Sequence, residues 1–293
     1  MTNSRQQEAP LVARAGRWRR PGLTGGSSPQ IRQAHRSAMP WLARAGLAAR
    51  GVIYVLIGAL AVQIAFGSSG HEADRAGALR LVGRSPFGSA ALWLLTIGFA
   101  GMCLWRASQA IWGSPGQDGK KASKRAAAAA RAVFYGVVTA GVLEYAIGIG
   151  APSSSDKQSR DLTATALHYP GGQVIVVLAG LGFLGGGCYL AWRAWQKKFR
   201  KHLRMETASP AVQRGVERTG QAGGIARGAV FGTAGVFLVV AGINASPHQA
   251  KGVDSALRTL ARTPAGPWLL VAVAAGLILF GAYSFCESRW REV

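Results

Sequence analysis

Arg50-Gly51-Val52-Ile53-Tyr54 opens an apolar run that lasts to Phe66. After a polar crossing from Gly67 to Ser85, Phe87-Gly88-Ser89 opens a second run that lasts to Trp105. About 20 apolar residues in helical form span a hydrocarbon core of about 30 Å, so this stretch reads as a helix pair that crosses a bilayer twice. The pair returns twice more. Ala49-Arg50-Gly51-Val52-Ile53-Tyr54 is matched by Ala130-Arg131-Ala132-Val133-Phe134-Tyr135 and by Ala226-Arg227-Gly228-Ala229-Val230-Phe231. Arg50, Arg131 and Arg227 are thus each followed four residues later by an aromatic. The second run of each pair opens on Pro86, Pro170 or Pro264, with Gly98, Gly182 or Gly276 twelve residues on and Trp105, Tyr189 or Tyr283 nineteen on. Several fixed offsets held in three copies make an internal repeat, and these Arg, Pro and Gly positions are read as its structural signature.

The charge balance fits that reading. Among 293 residues, 34 are Lys or Arg and 12 are Asp or Glu, a formal +22, beside 40 Gly. Such an excess suggests a nucleic-acid partner until the charges are placed along the chain. They avoid the apolar runs and gather between them, whereas a basic soluble domain mixes charge through its helical faces. No nucleic-acid partner is expected. The fold class is all-α: a polytopic membrane protein of six transmembrane helices, arranged as three parallel two-helix repeats. Copies in one orientation are related by an axis along the membrane normal, so a pseudo-threefold bundle is the natural arrangement and a looser row the alternative.

The chain divides into an Arg-rich tail at 1–40, repeat 1 at 41–113, a linker at 114–123, repeat 2 at 124–201, a basic linker at 202–219, and repeat 3 at 220–293. The tail holds too little apolar surface to offset its ordering entropy and is expected to be disordered. The first helix is expected from about Leu42 and the fifth from about Ala222. Ala78 to Arg84 and Ser255 to Arg262 read as short amphipathic helices lying on the outer surface. Each following Pro is read as a first-turn residue of the next helix.

Lys and Arg set the orientation. The three crossings inside the repeats hold only Arg75, Arg80 and Arg84; Lys157 and Arg160; and Lys251, Arg258 and Arg262. The other basic residues lie on the tail, linkers, adjoining helix starts and C-terminus, so both termini are expected in the cytoplasm. Those basic segments are expected to contact anionic lipid headgroups.

Candidate chemistry is sparse. Glu144 is the one acid deep in a span, and the aligned positions are Gln63 and Val240. A carboxylate in hydrocarbon is costly and normally faces a partner or water, which makes Glu144 and Gln63 the candidate intramembrane polar site. The blander reading places Glu144 close to the outer face, since Gly148 and Pro152 follow within two turns. Cys103, Cys188 and Cys286 are not spaced as metal ligands and read as small buried apolar residues. His71, His168 and His248 fall one per crossing at unmatched offsets and read as solvated. Asp74, Asp156, Asp161 and Asp254 offer no evident carboxylate pair for acid–base work. No catalytic residue, metal site or cofactor is expected.

Three copies of Ala-Arg-x-x-x-aromatic, Pro followed by a glycine-rich opening, and the twelve-residue glycine, with Ala78-Leu79-Arg80 matching Ala256-Leu257-Arg258, resemble the bacterial membrane family of domain of unknown function 1206. That resemblance implies a pair of transmembrane helices occurring three times, in a bacterial cytoplasmic membrane, and supplies no activity, cofactor or site residue. The middle copy departs most, with Leu162-Thr163-Ala164 in place of Ala-Leu-Arg. On these grounds the leading expectation is a non-enzymatic membrane scaffold, lipid-organising element or partner of another membrane protein. The alternative is a small-solute or proton-coupled transporter with a path between the repeats.

Overall fold

The computed structural model describes residues 29–67, 72–113, 121–198, 209–262 and 265–290. Their regular structure is helical: α1 (Pro29–Ala65), α2 (Arg75–Gly83), α3 (Gly88–Trp112), α4 (Ala122–Ala146), α5 (Ser155–Leu167), α6 (Gly172–Trp195), α7 (Pro210–Ile243), a 3-10 turn (Pro247–Gln249), α8 (Val253–Ala261) and α9 (Gly266–Trp290). Six of them, Pro40–Ala65 of α1 with α3, α4, α6, α7 and α9, are long and apolar enough to cross a membrane. Leu94, Val133, Val174, Leu178 and Trp268 all stand exposed on these helices. A soluble monomer rarely shows apolar surface on that scale, and a bilayer solvates it.

Local sequence sets the helix ends. Asp74 accepts from the Gly77 amide at 3.0 Å and caps α2. Ser154 caps α5 through the Lys157 amide at 3.3 Å. Ser209 caps α7 with Pro210 at its start, a pairing that satisfies one exposed amide and removes another. The Ala126–Ala130 run is strong helix former and carries α4 back to Ala122. Several expectations shift. Helix α1 begins at Pro29, inside the stretch assigned to the tail, and α7 begins at Pro210, inside the stretch assigned to the second linker. Pro86 and Pro170 stand in turns two residues before α3 and α6, outside the first helical turn. In repeat 2 the turn is completed by Gly171 at φ +81, a conformation glycine adopts freely. Pro264, His71 and residues 1–28 lie outside the described residues.

The long helices pack in the order α4–α3–α1–α9–α7–α6. With no hydrophobic drive inside lipid, close backbone approach is what holds such helices together. A Cβ on Gly98 would stand 2.7 Å from the Ala49 Cβ, and one on Gly276 2.4 Å from the Ala226 Cβ. Each repeat-signature glycine of α3 and α9 therefore receives the alanine that precedes the signature arginine in its own repeat. The α6–α7 contact is closer still, with Gly187 set against Gly228 and Gly232.

Helices α2, α5 and α8, one per repeat, sit on the crossing side, and α2 and α8 bury more than a surface helix does. Ala78, Leu79, Ala256 and Leu257 are almost fully enclosed, and Ala78, Leu79 and Leu257 join the core with Leu60, Leu270 and Leu277. The expectation that α2 and α8 lie on the surface is corrected: their Ala-Leu pairs are packing residues. Helix α5, which the sequence did not announce, puts Thr163 at 2% exposure where the others use leucine, while Leu162 is exposed.

Candidate functional site

The three crossing helices are tied head to head by aspartates. Asp74 accepts from the Ser155 amide at 2.6 Å. Asp156 accepts from the Gly252 amide at 2.7 Å and the Ser255 amide at 3.4 Å, and takes a further bond from the Ser255 hydroxyl. Asp254 accepts from the Ala73 amide at 2.7 Å. Repeat 1 thus holds repeat 2, repeat 2 holds repeat 3, and repeat 3 holds repeat 1. Each helix start offers unpaired amides and the positive end of its dipole, and a carboxylate answers both. Asp74 and Asp254 are buried, at 1% and 6% exposure. The cycle draws the three crossings together and curves the row of long helices into an open ring, with α5, which joins α4 to α6 along the chain, packed against α6, α7 and α8.

That ring has one open side. Packed interfaces join α1 to α3, α3 to α4, α6 to α7, α7 to α9 and α9 to α1, and no packed interface joins α4 to α6. These two are the helices of repeat 2. Their counterparts of the Ala–Gly contact, Ala130 and Gly182, are both exposed, and nothing lies within 4 Å of a Cβ placed on Gly182.

Inside the ring, Arg50 and Arg227 both lie over Phe280, whose ring packs on Tyr54. Arg50 donates to Ser284 at 3.2 Å and forms a buried ion pair with Glu287. It lies 5.2 Å from the Phe280 ring centre. Arg227 lies over the same ring at 5.0 Å, and 5.7 Å and 5.3 Å from the rings of Tyr54 and Phe231. Its Nε is buried without a hydrogen-bond partner among the described residues. Arg75, at the start of α2, lies 5.9 Å from the Phe134 ring centre. Its hydrogen bond is a long one, 3.5 Å to Gln158. Burial pushes the Arg75 guanidinium below its ordinary range, against the opposing pull of Asp74 and Tyr54.

The open side leads to these groups. Phe134 on α4 is 55% exposed yet lies against Arg75. Phe183 on α6 is 43% exposed yet stacks at 6.1 Å on Phe231, beside Arg227. Two aromatic flanks, each touching an interior group, frame a lateral entrance.

The sequence-nominated residues fare differently. Glu144 lies in the last turn of α4 and Gln63 in the last turn of α1; both are exposed, and no packed interface brings α4 against α1. Of the signature arginines, Arg50 and Arg227 meet in the interior, while Arg131 is exposed. Cys188 is exposed and Cys103 and Cys286 half-buried, so none is the fully buried apolar residue expected. Among the described residues no three His, Cys, Asp or Glu side chains converge as for a metal. Two features escaped sequence reasoning. The aspartate cycle pairs residues at unequal repeat offsets with amides in the next repeat, and Arg75 belongs to a crossing read as surface.

Comparison with known proteins agrees with this architecture. The chain is 30% identical over 259 residues to the uncharacterized protein YxxB of Bacillus subtilis (strain 168), a match covering 87% of this chain and 93% of that protein. No solved structure matches. The model of the domain of unknown function DUF1206 matches three times, at residues 45–113, 126–197 and 222–291, each match containing one pair of long helices. The chain belongs to the DUF1206 family.

Proposed function

We propose that the protein is a non-enzymatic membrane scaffold that organises lipid, admitting it into its interior between α4 and α6. One internal comparison carries this reading. Repeats 1 and 3 close their helix pairs on an Ala–Gly contact, whereas repeat 2 keeps Ala130 and Gly182 and leaves them apart. The surfaces for closure are retained, and in their place is an opening with exposed apolar walls, Phe134 and Val137 on one side and Leu178 and Phe183 on the other. An opening of that kind, inside a bilayer, fills with hydrocarbon chains. The aspartate cycle supports the scaffold part of the reading, since it fixes the crossing ends while leaving α4 and α6 free of each other along their length.

In the orientation set by the basic residues, the termini are cytoplasmic, in the plasma membrane of a bacterium, and Arg193, Lys197 and Lys198 meet anionic headgroups. A reporter enzyme that works only outside the cytoplasm should be silent when fused at Val293, and activity there would overturn that topology.

The lipid reading is tested by placing a photo-crosslinking residue at Phe134 or Phe183 in native membranes. Lipid adducts at both positions are expected. A product that joins α4 to α6 and carries no lipid would sink the reading, and one stoichiometric protein adduct would replace lipid with a protein partner.

A further inference from the structure

We propose that the lateral opening is a gate: α4 rolls on α3 until repeat 2 closes on Ala130 and Gly182, as repeats 1 and 3 are already closed. What passes the gate rests on the lipid reading above; the closure itself rests on the repeats.

Repeat 2 carries closing residues that it does not use. Ala130 and Phe134 are the counterparts of Ala49 and Ile53 in repeat 1 and of Ala226 and Val230 in repeat 3. All four counterparts are buried, between 3% and 8% exposed, whereas Ala130 is exposed and Phe134 stands at 55%. Phe183 is the counterpart of Phe99 and Leu277, which are 3% and 2% exposed, yet it stands at 43%. The positions that seal two repeats therefore line the opening of the third. Around the ring, packing within a repeat alternates with packing between repeats, and the one unfilled place is the pair within repeat 2. A wall facing only lipid needs bulky apolar residues, whereas alanine kept opposite glycine is the pattern of close helix approach.

Helix α4 is the moving wall. Helix α6 is fixed to α7 through backbone: a Cβ on Gly180 would stand 2.6 Å from the Val239 amide nitrogen, and one on Gly187 2.6 Å from the Gly228 carbonyl oxygen. Helix α4 sits more loosely on α3. A Cβ on Gly136 would lie 3.6 Å from the Cys103 Sγ, and one on Gly141 would meet nothing within 4 Å. At the crossing end the chain leaves α4 through Gly148, at φ +78 and in open space, before α5 is pinned by Asp74 and Asp156. A glycine there absorbs a change of backbone angle at little cost, as a hinge requires. Arg125 donates to the Ala110 and Ile111 carbonyls at 2.8 Å and 3.0 Å and tethers the other end of α4 to α3. Helix packing inside lipid brings no hydrophobic gain, so hydrocarbon chains lying between α4 and α6 decide between the two states. Occupied, the gate stays open; emptied, it closes.

The test uses the full chain with Cys103→Ser, Cys188→Ser and Cys286→Ser, to which Ala130→Cys/Gly182→Cys is added. In repeats 1 and 3 a Cβ on the glycine would stand 2.7 Å and 2.4 Å from the alanine Cβ. A closed repeat 2 thus brings the pair within reach of a disulfide, whose Cβ atoms lie about 3.5–4.5 Å apart. Bridging within one chain under mild oxidation is compared in phosphatidylglycerol liposomes and in lipid-stripped non-ionic detergent. It is expected in both, and roughly tenfold faster without lipid if chains are present at about ten times their dissociation constant from the open state. A photoreactive residue at Phe183 should lose its lipid adducts in the bridged form and regain them on reduction. Should the glycine pair fail to fold, Phe134→Cys/Phe183→Cys with a short thiol-to-thiol reagent decides. No bridge within the chain in either medium, with lipid adducts intact at Phe183, overturns the gate and leaves lipid entry standing. Bridges formed only between chains overturn it too. Bridging at equal rates with and without lipid keeps the closure and removes the lipid.

Discussion

Gly98, Gly182 and Gly276 occupy one position in three repeats, yet a methyl group added at each should give two opposite results. Any glycine inside a helix costs about 1 kcal/mol relative to alanine, so each Gly→Ala change begins with a gain of that size. At Gly182 nothing lies within 4 Å of the new Cβ, and the gain should appear nearly whole. At Gly98 and Gly276 the new carbon would meet an alanine Cβ at 2.7 Å and 2.4 Å, distances real side chains do not tolerate. Neither Ala49 nor Ala226 has a flexible end to move, so the helices themselves must part. Overpacking of this kind costs about 1–3 kcal/mol, which outweighs the propensity gain. We expect Gly276→Ala to be the least stable, Gly98→Ala next, and Gly182→Ala equal to or above the parent. Unfolding of each variant in mixed detergent, followed by circular dichroism, gives the order. If Gly182→Ala loses as much as Gly276→Ala, α6 meets α4 in the membrane and the open side of the ring does not exist there.

Two further substitutions probe the ties between repeats. Asp74→Ala should leave the Gly77 and Ser155 amides without their acceptor, a loss of about 2–6 kcal/mol at roughly 1–3 per group. Asp161→Ala, on an exposed residue of α5, should change little, and equal protease sensitivity of the two variants would refute the aspartate cycle. Glu287→Leu should destabilise by about 3–5 kcal/mol because it strands the Arg50 charge in the interior. Adding Arg50→Leu to that variant should recover most of the loss, and a double variant no better than the single one would show the pair to be unimportant.

The repeat and the six spans were legible because they are local. Fixed offsets between Arg, Pro and Gly survive in one dimension, and twenty-residue apolar runs have few other readings. Gly98 and Gly276 were legible as special positions, though their partners Ala49 and Ala226 became evident only in space. Nothing along the chain marks repeat 2 as open, since Ala130 and Gly182 match their counterparts; the difference is where α4 and α6 pack. The interior site was missed for a related reason. Depth in a span drew attention to Glu144, which ends up at the rim, while Arg75 was counted as a crossing charge although it lies against Phe134. Asp156 and Asp254 bind amides roughly a hundred or more residues away, a pairing no spacing rule contains.

The Arg50–Glu287 pair has a consequence for how the protein is made. Its partners are 237 residues apart, on the first and last long helices. At about 5–20 residues per second of translation, roughly 10–50 s separate the emergence of Arg50 from that of its counter-ion. During that wait the Arg50 charge of α1 lacks its counter-ion, which the insertion machinery accepts at a cost of about 2.5–3.5 kcal/mol near the bilayer centre. Arg50 lowers that cost by staying near the leaflet on its own side until α9 arrives. The first repeat therefore enters the membrane before it can settle, and the last helix to be synthesised completes the seat of the first.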